Sequence, residues 1–183
     1  EEDVTDPYLI RRYVSDQSDY ETLYSITDRA EGDPAFIFNV TMQNHSSYAQ
    51  GWNNLEKTIT LPTEQRTADT TAEQYLSLMR ASDDALRDLI AHYEQSPEPT
   101  MIVFFGDHQP PLKNAFYEQL YGKPLDQRTT EEVLKQYATP FFLWTNYDIQ
   151  EREDVVLSPN YLGVLTAKAA GLPLTGFMSF LSQ

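Results

Sequence analysis

Short apolar runs alternate with longer stretches of helical periodicity along this chain. Residues 35–42 (AFIFNVTM), 101–105 (MIVFF) and 140–145 (PFFLWT) are nearly continuous in apolar residues, many of them β-branched or aromatic. Runs of this length and composition predict strands buried on both faces. Between them, Tyr20, Leu23, Tyr24 and Thr27 share one helical face behind Ser18-Asp19-Tyr20-Glu21, a capping-box pattern, and stop near Gly32. A second such box, Thr70 with Glu73, precedes Tyr75, Leu78, Met79, Leu86, Leu89, Ile90 and Tyr93, the stripe of a long helix that Pro97 and Pro99 end. Residues 115–121 predict a short amphipathic helix closed by Gly122 and Pro124, and Thr129 caps another through Tyr137. Ser158-Pro159 marks a helix start before Tyr161, Leu162, Leu165, Ala169 and Leu172, and Phe177, Phe180 and Leu181 suggest a last short helix. The first dozen residues, with the basic pair Arg11-Arg12, read as irregular. Residues 49–67 read as a long loop with room for one short edge element.

Helices alternating with three buried strands predict an α/β fold with a mostly parallel central sheet flanked by helices. No domain boundary or internal repeat is visible in the 183 residues. Three strands make a thin sheet, and Glu1-Glu2-Asp3 is no natural start. The chain therefore reads as part of a larger domain, and the faces such a cut exposes would favour self-association.

Composition narrows the chemistry. Thirteen basic and 28 acidic residues give a net charge of −15, which argues against nucleic acid and against an electrostatic grip on anionic lipid. The absence of cysteine excludes thiolate ligands, disulfides and a cysteine nucleophile. No run approaches the ~20 apolar residues of a membrane span. Glycine-rich phosphate loops, G-x-S-x-G and H-E-x-x-H are also missing.

The candidate chemistry lies at strand ends, where open α/β sheets place their ligands. Asp107 and His108 follow the run at 101–105, and a hard carboxylate beside an imidazole is half of a divalent-metal site. The competing reading is a turn in which Asp107 caps the backbone and His108 is solvated. His45 follows the run at 35–42; taken alone, it is an ordinary hydrogen-bonded histidine. His92, near a helix end, reads as structural. Trp52 is a candidate substrate contact. Asn39-Val40-Thr41 and Asn44-His45-Ser46 match the glycosylation pattern, the first inside a predicted strand.

Two strand-end motifs in this order are more specific than either alone. Phe36 to Tyr48, with its T-x-x-N-H turn, resembles the lipoteichoic acid synthase (phosphoglycerol transferase) family. Val103-Phe104-Phe105-Gly106-Asp107-His108 resembles that family's second metal motif, shared across the alkaline phosphatase and sulfatase superfamily. The helix with Arg80 and Asp83-Asp84, the segment 139–147, and residues 158–163 leading to 170–173 also fit, so the resemblance covers nearly the whole chain.

The resemblance implies an alkaline phosphatase-like fold, with residues 1–183 the carboxyl-terminal portion of a sulfatase-like catalytic domain. It implies an extracytoplasmic, membrane-anchored bacterial enzyme. Such an enzyme would move phosphoglycerol from a phospholipid donor to a glycan or teichoic-type acceptor. It implies one divalent cation, usually manganese, with Asp107 and His108 as two ligands and His45 as the histidine contacting the phosphoryl group. The family's threonine nucleophile and first acidic ligand match nothing here; Thr41 lies before the histidine turn. The 183 residues are thus expected to bind metal weakly and to be inactive alone. Two alternatives stand beside this reading: a sulfatase or other phosphoesterase of the superfamily, and a non-catalytic extracellular binding module.

Overall fold

The structure is a computed structural model, and it describes residues 6–30 and 32–183. The chain divides into two compact units. The first joins Glu1–His92 to His108–Ala138, and the second joins Tyr93–Asp107 to Thr139–Gln183.

The first unit opens with a small hairpin, β1 (Leu9–Ile10) antiparallel to β2 (Tyr13–Val14). Arg11 sits in its turn at φ +59°, where a side chain is unfavourable by about 1–2 kcal/mol. The Asn54 amide closes the turn by donating to the Leu9 and Arg11 carbonyls at 3.0 and 2.9 Å. Where an irregular segment was expected, the basic pair is the turn of a hairpin.

Helix α1 spans Asp16–Arg29 and begins earlier than its capping box predicts. Ser15 is the N-cap and accepts from the Ser18 N–H at 3.1 Å. Ser18 is drawn elsewhere, because its hydroxyl accepts from the Tyr8 N–H at 2.9 Å. The loop 49–67 ends in a helix rather than an edge strand, α2 (Thr63–Ala68). Helix α3 spans Ala72–Glu94, as its apolar stripe predicts. Glu73 does not complete a capping box; its carboxylate accepts from the Leu61 N–H at 2.9 Å and ties the loop to the helix. Asp69 does the work at the helix start, accepting from the Thr71 N–H at 2.8 Å and the Thr71 hydroxyl at 2.6 Å. His92 stacks on Tyr24 with ring centroids 3.7 Å apart, a structural role. Helices α4 (Asn114–Tyr121) and α5 (Thr130–Lys135) complete the unit. Gly122 ends α4 in the left-handed conformation, and Thr129 with Glu132 forms a full capping box on α5.

In the second unit β3 (Met101–Phe105) pairs with β4 (Phe141–Thr145). Helices α6 (Leu162–Ala169) and α7 (Gly176–Leu181) pack on each other. Asn146 joins the ends of this unit: its amide donates to the carbonyls of Tyr93, Ser96 and Glu98, and its Oδ1 accepts from the Thr100 N–H.

Two expectations about the sheet change. The strand pairs formed by the described residues are both antiparallel, not parallel. Phe105 faces Phe141 at one end of the β3–β4 ladder and Met101 faces Thr145 at the other, because the intervening chain returns β4 in reverse. Second, residues 35–42 form no strand. The segment is extended but, among the described residues, meets no partner strand, and Phe36 is 91% exposed. Apolar composition gives a segment strand propensity; only a neighbouring backbone turns it into a strand. Likewise β3 and β4 are half-buried rather than enclosed on both faces.

Candidate active site

The turn that carries His45 is built from three sides within the first unit. The first is Arg11, only 4% exposed. Its guanidinium donates to the carbonyls of Gln43 at 2.7 Å, His45 at 2.6 Å and Ser47 at 2.9 Å. It also lies over the rings of Tyr13 and Tyr48, 5.3 and 5.5 Å from their centroids. The second is Gln43, 1% exposed. Its side chain accepts from the Asp16 N–H at 3.0 Å and donates to the Ser82 hydroxyl at 3.0 Å. The Asn44 amide donates to the same hydroxyl at 2.8 Å, and Ser82 in turn donates to Asp16. The third is Tyr48, whose hydroxyl donates to the Asn44 carbonyl at 2.8 Å and whose ring is buried with Ala72, Leu78 and Leu112.

Asp16 is 2% exposed, and burial pushes its carboxyl up to about 6; the Ser82 hydrogen bond pulls the other way and Asp19 adds to the rise. This network lies beneath an exposed His45. The His45 Nδ1 is 2.9 Å from the Ser46 carbonyl and 3.2 Å from the Tyr13 hydroxyl. A nitrogen facing a carbonyl must carry the proton, so the neutral ring bears its lone pair on Nε2.

Asp107 and His108 follow β3 directly, and both are exposed. Gly106 between strand and motif packs closely: a Cβ there would lie 3.1 Å from the Thr139 Cβ, a contact that Thr139 would have to relieve by a few tenths of an ångström. The Thr139 hydroxyl donates to the Gly106 carbonyl at 2.8 Å, and the Gly106 N–H donates to the Pro140 carbonyl at 3.1 Å. His108 repeats the arrangement of His45: its Nδ1 is 2.9 Å from the Gln109 carbonyl, which again leaves the lone pair on Nε2. The chain beyond it is tied down within the first unit. Tyr117 donates to the Pro110 carbonyl at 2.7 Å, Leu112 enters the cluster that holds Tyr48, and the Lys113 N–H donates to Asp69 at 2.7 Å.

The donor chemistry suits a divalent cation in part. A carboxylate and an imidazole with its tautomer set by a carbonyl are ordinary metal ligands. Among the described residues, no group of three or more His, Asp or Glu side chains could hold an ion, so Asp107 and His108 form a partial set. Trp52 is half-buried, and its indole nitrogen is buried without a hydrogen-bond partner. A cavity of about 250 Å³ lined by Glu94, Trp144, Thr145, Asn146, Tyr147 and Asp148 lies at the far end of the β3–β4 ladder from Asp107. It contains none of the predicted site residues.

Arg11, Tyr13, Asp16 and Ser82 escape a reading of the sequence. Nothing in the local pattern links residues 34 or more positions apart, and a basic pair ahead of a helix is an unremarked surface feature in most chains.

Comparison with known proteins agrees with this architecture. The sulfatase family model matches residues 1–172, and the chain belongs to that family. A Rhizobium meliloti (strain 1021) protein named for cyclic beta-1,2-glucan modification is 28% identical over 177 residues, covering 93% of this chain and 27% of its own length. The capsular polysaccharide biosynthesis protein RkpI of the same organism is 31% identical over 103 residues, covering 56% of this chain and 17% of its own. The chain thus spans about a quarter or less of these curated relatives. The Streptococcus pyogenes phosphoglycerol transferase GacH, solved with sn-glycerol-1-phosphate, superposes with a TM-score of 0.67 at 17% identity, covering 98% of this chain and 43% of that one. The fold is alkaline phosphatase-like α/β, as the motifs imply.

Proposed function

We propose that this chain is part of a metal-dependent phosphoglycerol transferase that works outside the cytoplasm from a membrane anchor. The observation that carries the reading is a matched pair of histidines, each in a turn that follows an apolar segment. His45 and His108 each turn Nδ1 to the next carbonyl at 2.9 Å, and the segments that follow them pack through Tyr48 and Leu112 on one buried cluster. The fold likeness to GacH supports a phosphoglycerol substrate, and the relatives named for cyclic beta-1,2-glucan modification and capsular polysaccharide biosynthesis support a glycan acceptor.

Asp107 and His108 would hold the cation, manganese by the family resemblance, with further ligands from outside these 183 residues. When bound, such a cation polarises the phosphoryl oxygens and activates the attacking hydroxyl. The chain's own part is proton handling. Because the Ser46 carbonyl holds Nδ1–H in either charge state, Nε2 of His45 is the nitrogen that gains and loses a proton. As imidazolium it donates to a phosphoryl oxygen or protonates the departing alkoxide of diacylglycerol. The bond from phosphorus to that alkoxide breaks as a nucleophile from outside these 183 residues, threonine by the family resemblance, bonds to phosphorus. The acceptor hydroxyl then attacks phosphorus, displaces that nucleophile and gives its proton to Nε2 of His45.

The test is diacylglycerol release from phosphatidylglycerol vesicles by the full-length protein with manganese. Release that falls by about 10²-fold or more in His45→Gln, and with Asp107→Ala, is the expected outcome. The family model equally fits sulfate-ester hydrolysis. Turnover of 4-nitrophenyl sulfate without any of phosphatidylglycerol would replace the transferase reading. Turnover of neither would favour the non-catalytic module.

A further inference from the structure

We propose that Arg11 is a positioning residue for His45; this rests on the reading of His45 as the phosphoryl-facing acid. Four observations carry it. The guanidinium is buried and reaches 34 residues along the chain to grip three carbonyls of one turn, including that of His45 itself. It lies within 5.3 and 5.5 Å of the Tyr13 and Tyr48 ring centroids, and Tyr13 also touches the His45 ring, with centroids 5.7 Å apart and its hydroxyl 3.2 Å from Nδ1. Among the described residues no carboxylate pairs with the guanidinium, and its buried Nε has no hydrogen-bond partner. Finally, the backbone at Arg11 is held at φ +59°, a position that glycine would fill with less strain. A residue kept where the backbone disfavours it, for a side chain whose bonds all go to one turn, is explained by what that turn carries.

The consequence is geometric. With the carbonyls of residues 43, 45 and 47 fixed on one planar fork, the intervening Ser46 carbonyl has a fixed direction, and that carbonyl sets the His45 tautomer. Lysine at position 11 keeps the charge but has no planar fork, so it cannot hold the three carbonyls in one plane. Tyr13 and Asn54 then become secondary parts of the same device, one against the ring and one closing the turn that presents Arg11.

The test uses the full-length protein with ¹⁵N-histidine labelling, vesicle turnover and thermal melting. In the wild type at pH 8 the His45 ring is expected as the Nδ1–H tautomer. In Arg11→Lys the ring is expected to mix tautomers, and kcat to fall about tenfold with KM little changed. Asn54→Ala, a surface change, is expected to shift both in the same direction by less, and it carries the test if Arg11→Lys does not fold. Unchanged tautomer and unchanged kcat in the folded variants would overturn the proposal while a loss of turnover in His45→Gln upheld the role of His45. Altered tautomers with full turnover in His45→Gln would instead uphold the positioning and remove the catalytic role.

Discussion

Asp16 accepts a hydrogen bond from Ser82, 66 residues away, and so joins the first turn of α1 to the middle of α3 directly beneath the His45 turn. Ser82 is fully used there: it accepts from the amides of Gln43 and Asn44 and donates its one proton to the carboxylate. Its removal strands a buried carboxylate and two amides together. Ser82→Ala is expected to cost about 3 kcal/mol, read as the shift in a urea unfolding curve. A loss within the noise of a surface substitution would mean that solvent reaches the network.

Asp16 also makes stability depend on pH in an unusual direction. Burial raises its folded-state value to about 6, above the ordinary 3.8, so folding favours the protonated form. Its contribution is complete below about pH 4, declines as the pH rises, and is gone above about 6. Asp16→Asn keeps an acceptor for Ser82 and cannot ionise. Against the wild type it is expected to be near neutral at pH 4 and stabilising by up to roughly 3 kcal/mol at pH 8. Equal differences at the two pH values, measured by chemical denaturation, would contradict the raised carboxyl.

Asp69 behaves in the opposite sense. Burial alone would raise it, but hydrogen bonds from Thr71 and the Lys113 N–H outweigh burial and hold it below the ordinary value. Its stabilisation is present above about pH 4 and is lost as the pH falls through its folded-state value. Asp69→Ala removes an anchor shared by the start of α3 and the chain beyond His108. The expected cost is about 3 kcal/mol, and hydrogen exchange should show lost protection at the Thr71 and Lys113 amides together. Loss at one amide alone would separate the two segments.

Gly106 joins β3 to the Asp107-His108 pair. A methyl group there meets the Thr139 Cβ at 3.1 Å, so Thr139 must shift by a few tenths of an ångström. Gly106→Ala is expected to cost about 1–2 kcal/mol in thermal unfolding. With Asp107 as the proposed cation ligand next to it, the same variant is expected to weaken any manganese binding that calorimetry detects in the full-length protein. Unaltered stability would show that Thr139 moves aside freely.

The local signals in the sequence were strong where a few neighbouring residues decide the outcome. The apolar stripe of α3, the capping box at Thr129, the glycine stop at Gly122 and the ladder strands β3 and β4 are all readable because each depends on spacings of a few residues. The same holds for Asp107, His108 and His45 as candidates, since residue type and a place just after an apolar run mark them without knowledge of their neighbours, although only the run before Asp107 is a strand. Tertiary structure decided the rest. Residues 35–42 have a strand's composition, but pairing is a property of two segments, and no second segment meets them among the described residues. Ser18 and Glu73 have the pattern of capping residues, yet partners distant in sequence, Tyr8 and Leu61, took their hydrogen bonds. Above all, Arg11 grips the His45 turn across 34 residues, a contact that exists only once the hairpin and the turn have been folded together.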